Sequence, residues 1–146
     1  MRPEKIVLFE DHAFYRNRIS TSLSSQGYAV ACHNDLARLD DVIQQENPYL
    51  LIIGMPLEGS DPYLPTRYCQ ACYPWLPIIQ LIDRSIAVEP LERLTALQQG
   101  CTDVLLKRVD RLEVLLQRVH DLLRPGTRVD RQALLRAYAG ELPSVV

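Results

Sequence analysis

The feature that most constrains this chain is a repeated alternation of two kinds of segment. Short runs that are apolar at nearly every position are followed by longer runs that are apolar on one side only, with Gly, Pro or Asn between them. Lys5-Ile-Val-Leu-Phe9, Tyr28-Ala-Val-Ala-Cys32, Tyr49-Leu-Leu-Ile-Ile53, Pro77-Ile-Ile-Gln-Leu-Ile82 and Asp103-Val-Leu-Leu106 read as strands. Helices are expected over 12–26, stopped by Gly27; over 35–46, stopped by Asn47-Pro48; over 62–72; over 89–99, stopped by Gly100; and from an Asp110 cap to Leu123, broken by Arg124-Pro125-Gly126. Strands without polar alternation belong to a parallel sheet covered on both faces. Five βα units joined by right-handed crossovers therefore predict an α/β, doubly wound three-layer sandwich around a central five-stranded parallel sheet, over residues 1–124.

Residues 125–146 fall outside this repeat. Pro125-Gly126 reads as a hinge, 130–139 as a short amphipathic helix with Leu134, Leu135 and Tyr138 on one side, and the last residues as linker. A helix that short needs something to dock on.

Composition narrows the function classes. Of 146 residues, 47% are hydrophobic and 23% charged, which fits a globular chain and excludes a disordered one. A formal net charge of −2 lacks the basic excess of a nucleic-acid binder. No apolar run reaches the roughly 20 residues of a membrane span, and the N-terminus has no signal-peptide pattern, so a cytoplasmic setting is expected. The four cysteines fit that setting. Cys32 and Cys101 read as small buried hydrophobes. Cys69-Gln-Ala-Cys72 falls in the later part of a helix, away from the helix start that would activate a redox thiol, and no second Cys or His pair stands at zinc spacing. No GxGxxG, P-loop or GxSxG pattern is present, and no enzymatic activity is expected.

In a doubly wound sheet, sites form beyond the carboxyl ends of the strands. Those positions hold Glu10-Asp11, His33, Gly54, Asp83 and Lys107. With an acidic pair after the first strand and a lysine after the fifth, residues 4–124 resemble the response-regulator receiver domain, a CheY-like, flavodoxin-like fold. The resemblance is carried by Lys5-Ile-Val-Leu-Phe-Glu-Asp11, Pro48-Tyr-Leu-Leu-Ile-Ile53, Met55-Pro56, Pro77-Ile-Ile-Gln-Leu81 and Gly100-Cys-Thr-Asp-Val-Leu-Leu-Lys107. It implies Mg²⁺ on the acidic pair, a phospho-acceptor aspartate ending the third strand, a Ser or Thr ending the fourth, an aromatic switch in the fifth, and a lysine that contacts the phosphoryl group.

Glu10, Asp11 and Lys107 match that pattern, and the other positions depart from it. The acceptor position falls on Gly54, which has no nucleophile. The hydroxyl position falls on Ile82, the aromatic position on Val104, and Arg108 replaces the expected proline. The departures all strike one mechanism. They point to a phosphorylation-independent pseudo-receiver, a two-component-type signalling module in which Lys107 neutralises Glu10 and Asp11 as a structural ion pair with no cofactor. Two other readings stay open. A displaced acceptor, Glu58 or Asp61, would make the chain an Mg²⁺-dependent response regulator, with Glu10 and Asp11 as metal ligands. Alternatively, the vacated acidic pocket would bind a small ligand as an input domain. The expected partner is a signalling protein or the chain's own output domain, or a second copy in a homodimer, with no membrane and no direct nucleic-acid contact. The candidate contact residues are Arg93, Arg108 and Arg111 on one face and Tyr63, Tyr68 and Trp75 on another.

Overall fold

The computed structural model describes residues 3–55, 61, 63–83 and 88–124. Glu58 and the expected tail helix over 130–139 lie outside the described residues.

Strands β1 (Lys5–Phe9), β2 (Ala29–His33), β3 (Leu50–Ile53), β4 (Ile78–Ile82) and β5 (Asp103–Leu106) form one parallel sheet in the order β2-β1-β3-β4-β5. Helices α1 (Ala13–Ser25), α2 (Leu39–Glu46), α3 (Leu64–Cys72), α4 (Pro90–Gln98) and α5 (Leu112–Leu123) connect and cover it. This is the five-unit doubly wound arrangement that the apolar alternation predicts.

The two-residue period of each strand divides the core. Ile6, Leu8, Leu50, Ile52, Ile79 and Leu81 face α1 and α5, meeting Ile19, Leu23, Leu115, Val119 and Leu122. Val7, Phe9, Leu51, Ile53 and Ile78 face the other way, onto Leu39, Val42 and Ile43 of α2 and Cys69 of α3. Both faces of the central strands are buried, so the strands have no polar stripe.

Several local expectations need correction. Asp110 does not cap the last helix. Its carboxylate accepts from Nε and Nη2 of Arg108 at 3.1 and 2.9 Å, and a 3-10 turn over Val109–Arg111 precedes α5. The segment expected as one helix over 35–46 opens as a 3-10 turn, Leu36–Arg38, which Asp35 caps by accepting from the Ala37 amide at 3.0 Å. The second strand runs one residue later than expected, so His33 ends it. Cys32 is exposed, because β2 is an edge strand and alternate positions there are left uncovered, whereas Cys101 is buried. Asn47 and Gly100 sit at φ 47° and 112°. A Cβ at Gly100 would fall 3.0 to 3.2 Å from Gln70 and from the Thr66 carbonyl, so the α4–β5 turn needs glycine both for its backbone angle and for space.

Candidate functional site

The sheet order reverses direction between β1 and β3, and the two strands pair Phe9 with Ile53. Glu10 and Gly54, one residue further on each strand, therefore leave the sheet side by side at the switch point, tied by the Gly54 amide donating to the Phe9 carbonyl at 2.8 Å. β5 delivers Lys107 to the same rim, where its amide donates to the Ile82 carbonyl at 2.8 Å.

The three side-chain positions converge. Lys107 Nζ donates to Glu10 Oε1 at 3.2 Å, to Glu10 Oε2 at 3.1 Å and to the Gly54 carbonyl at 2.7 Å. An ammonium has three N–H donors, so these contacts fill its donor capacity. The Tyr15 ring packs against the same ammonium, 4.7 Å from its centroid. Glu10 is 0% exposed and Lys107 9%. The His12 amide, at the start of α1, adds a fourth donor, reaching Glu10 Oε1 at 3.3 Å.

The position of the Glu10 carboxylate is the most informative feature of the rim. A Cβ built on Gly54 would lie 2.2 Å from Glu10 Oε2 and 3.3 Å from Glu10 Cδ. The space that a side chain at this strand end would need is filled by a carboxylate from the neighbouring strand. The expected ion pair is present, but only half of the acidic pair takes part, since Asp11 is exposed and outside the cluster. Sequence reasoning placed Glu10 at the rim but missed that it occupies the room of the missing side chain. The signal was available: a glutamate one residue beyond the first strand, a glycine one residue beyond the third, and a lysine just beyond the fifth.

Ile82 and Val104, at the expected hydroxyl and aromatic switch positions, belong to one small apolar cluster with Ala96, Cys101, Tyr63 and Val88. Neither carries a group able to hydrogen-bond an anion. Asp61, the other candidate acceptor, is exposed and engaged in a very short ion pair with Arg67, which holds its carboxyl below the usual range. Asp83 is exposed beyond the end of β4.

The contact candidates divide differently from expectation. Arg93 is partly buried and binds Asp103 at 2.7 Å, while Arg118 binds the other oxygen of the same carboxylate at 2.8 Å. Asp103, buried in β5, thus clamps α4 and α5 to the sheet. Arg93 works inside the fold, and Arg108 is paired with Asp110. Arg111 is exposed, Tyr63 packs in the apolar cluster beside Val104, and Tyr68 and Trp75 are exposed.

Cys69 and Cys72 lie on the last turn of α3, as expected, with Cys69 buried and Cys72 exposed. Burial, reinforced by Cys72 and Asp40, pushes the Cys69 thiol up to about 12. The folded state thus holds its proton where an unfolded thiol loses it, so this group's contribution to stability is complete below pH 9 and falls as pH rises toward 12. Iodoacetamide should accordingly label Cys32 and Cys72 in the native chain and reach Cys69 and Cys101 only after denaturation; rapid native labelling of Cys69 would contradict the packing of α3.

The donor set does not fit the Mg²⁺ that the fold family implies. Mg²⁺ requires several oxygen ligands in octahedral array. Here both oxygens of Glu10 are engaged by an ammonium, Asp11 is exposed, and Gly54 offers only a carbonyl that Lys107 already holds. Among the described residues, no three His, Cys, Asp or Glu side chains converge as a metal site.

No family model matches the chain. Among curated proteins it is 30% identical over 133 residues to a probable transcriptional regulator, ycf27, of Porphyridium aerugineum, covering 90% of this chain and 51% of that protein. Among solved structures, the BeF3-activated N-terminal receiver domain of Klebsiella pneumoniae RstA superposes with a TM-score of 0.71 at 26% identity, over 83% of this chain and 99% of that one. The receiver domain of the TMAO respiratory response regulator TorR gives a TM-score of 0.73 at 26% identity, over 88% and 100%. The chain has the fold and the relatives of a response-regulator receiver domain. It spans about half the length of the curated relative it matches. No helix among the described residues is long and apolar enough to cross a membrane.

Proposed function

We propose that this chain is a pseudo-receiver: a signalling module of a two-component-type regulator that works without phosphorylation, through contact with a protein partner or an output domain. The observation that carries this reading is the Glu10 carboxylate, which lies where the side chain of an acceptor residue at position 54 would begin and is held there by Lys107. Acyl phosphate formation needs an accessible carboxylate nucleophile facing the lysine. The carboxylate that does face Lys107 is fully buried and accepts from both Lys107 and the His12 amide. Both positions that would register a phosphoryl group are aliphatic and belong to one apolar cluster.

The reading of the vacated pocket as a small-molecule site loses its support, because the room left by glycine is taken up by Glu10. The displaced-acceptor reading rests on Asp61, which is committed to Arg67, and on Glu58, outside the described residues.

Incubation with acetyl phosphate and Mg²⁺, read by intact mass, tests the proposal. The expected result is an unmodified chain. A stoichiometric phosphoryl adduct, mapped by borohydride trapping to Glu10, Asp11, Glu58 or Asp61, would overturn it.

A further inference from the structure

The edge of the sheet where the strands begin lies opposite the Glu10 rim, and it carries aromatic side chains that the core does not use. Tyr49, just before β3, is 59% exposed, and Trp75, ahead of β4, is 69% exposed. Trp75 stands perpendicular to the Tyr73 ring at 5.7 Å, with exposed Pro74 between them in the chain. β3 and β4 are neighbours, with Leu51 opposite Ile78 and the Leu51 amide donating to the Pro77 carbonyl at 3.0 Å, so Tyr49 and Trp75 precede adjacent strands at one end of the sheet. Asn47 to Ile53 and Tyr73 to Ile82 contain no charged residue. Lys5, on the other neighbour of β3, is closed by its pair with Glu46. This edge therefore offers apolar contact and no ionic code.

The chain itself returns to this edge. α5 starts beyond the carboxyl end of β5 and runs back along the sheet. Its last residues, Leu122 and Leu123, belong to the core cluster that holds Ile6 and Leu50, at the starts of β1 and β3, and Tyr28, just before β2. Residues 125–146 continue from there, outside the described residues. Their sequence over 130–139 has a helix pattern, opening on Asp130, stopped by Gly140, and carrying Leu134, Leu135 and Tyr138 on one side. Residues 125–129 link it to the end of α5 and reach at most about 18 Å when extended. A helix over 130–139 would be about 15 Å long, and adjacent strands lie about 4.8 Å apart, so laid across the edge it spans the starts of β1, β3 and β4.

We propose that residues 130–139 form a helix that docks on this edge of their own chain, with Leu134, Leu135 and Tyr138 against Tyr49 and Trp75. A helix this short is marginal alone in water, so its apolar side needs a surface. The short tether holds it beside the edge at an effective concentration of about the millimolar range, so modest contacts keep it in place. Tryptophan and tyrosine are the usual energetic anchors of such contacts. Docking closes the aromatic edge, so the tail and any partner that uses Trp75 exclude each other. The contact needs no phosphoryl group and lies at the opposite end of the strands from Glu10 and Lys107.

The test uses the full chain and reads amide hydrogen–deuterium exchange together with the emission of Trp75, the single tryptophan. The amides of 133–139 should be protected to the same degree at every protein concentration. Trp75→Ala and Tyr49→Ala should each speed their exchange by about fivefold or more, because exchange follows the population of the undocked state. Exchange in β1 and β3 should stay unchanged, since both substituted side chains are exposed. Leu134→Ser combined with Leu135→Ser should shift the Trp75 emission to the red. Unprotected amides over 133–139, protection indifferent to both aromatic substitutions, or unchanged emission in the double variant would overturn the proposal. So would protection that grows with protein concentration, the mark of docking on a second copy. None of these results depends on acetyl phosphate, so failure here would leave the phosphorylation-independent reading standing.

Discussion

Lys107→Met should cost this protein about 3–5 kcal/mol of stability, read as a fall in the urea midpoint at unchanged slope. The substitution keeps most of the apolar stem and removes only the ammonium. Glu10 would then be a fully buried carboxylate with the His12 amide as its remaining hydrogen-bond donor, while Gly54 would lose the donor to its carbonyl. Breaking one side of a buried pair is far more damaging than removing both sides, since the surviving charge has no compensation. The double variant Glu10→Gln, Lys107→Met should therefore recover most of the loss. If the single substitution costs less than about 1 kcal/mol, the pair behaves as an exposed surface contact and the plugged pocket described here is wrong.

Gly54→Asp is the second informative change, because it places a carboxylate at the end of β3 beside Glu10 and Lys107. In metal-free buffer we expect a loss of about 2–4 kcal/mol, since the new Cβ lies 2.2 Å from Glu10 Oε2 and two carboxylates must share one ammonium. Glu10 has to leave its place, and the rim then offers three carboxylates, counting Asp11. Mg²⁺ should raise the melting temperature of this variant, by binding the folded state, while leaving that of the parent chain unchanged. Signalling should not follow, because Ile82 and Val104 cannot hydrogen-bond a phosphoryl group or swing a polar ring. Mg²⁺-independent melting of the variant would contradict this account of the rim, and a phosphorylation-driven change in its oligomeric state would contradict the assignment of Ile82 and Val104.

Much of the fold was legible because parallel strands buried on both faces cannot hide their pattern. Leu50-Leu-Ile-Ile53 is buried at every position, as expected of a central strand covered on both faces. Boundaries were less legible where side-chain chemistry competes with periodicity. Asp110 has the look of a helix cap, but Arg108 two residues earlier captures its carboxylate, and the chain makes a 3-10 turn before α5 begins. Cys32 reads as core from its apolar neighbours, but only the sheet order reveals that β2 lies at an edge.

The candidate site was legible in identity and not in geometry. Glu10, Gly54 and Lys107 follow from position beyond strand ends. Glu10 is buried and Asp11 exposed; the alternation of extended chain says that the two differ, but not which of them meets Lys107. Arg93 illustrates the opposite failure. As a charged residue on a helix it reads as surface, yet the buried Asp103 draws it inward together with Arg118.

The most direct test of the central claim is a ¹⁵N–¹H titration of the chain with Mg²⁺ and beryllofluoride, followed at the amides of Asp11, Gly54 and Lys107. A rim already closed by its own glutamate and lysine predicts amide positions that do not move. Saturable shifts converging on those three amides would show an open, ion-binding pocket and contradict the account.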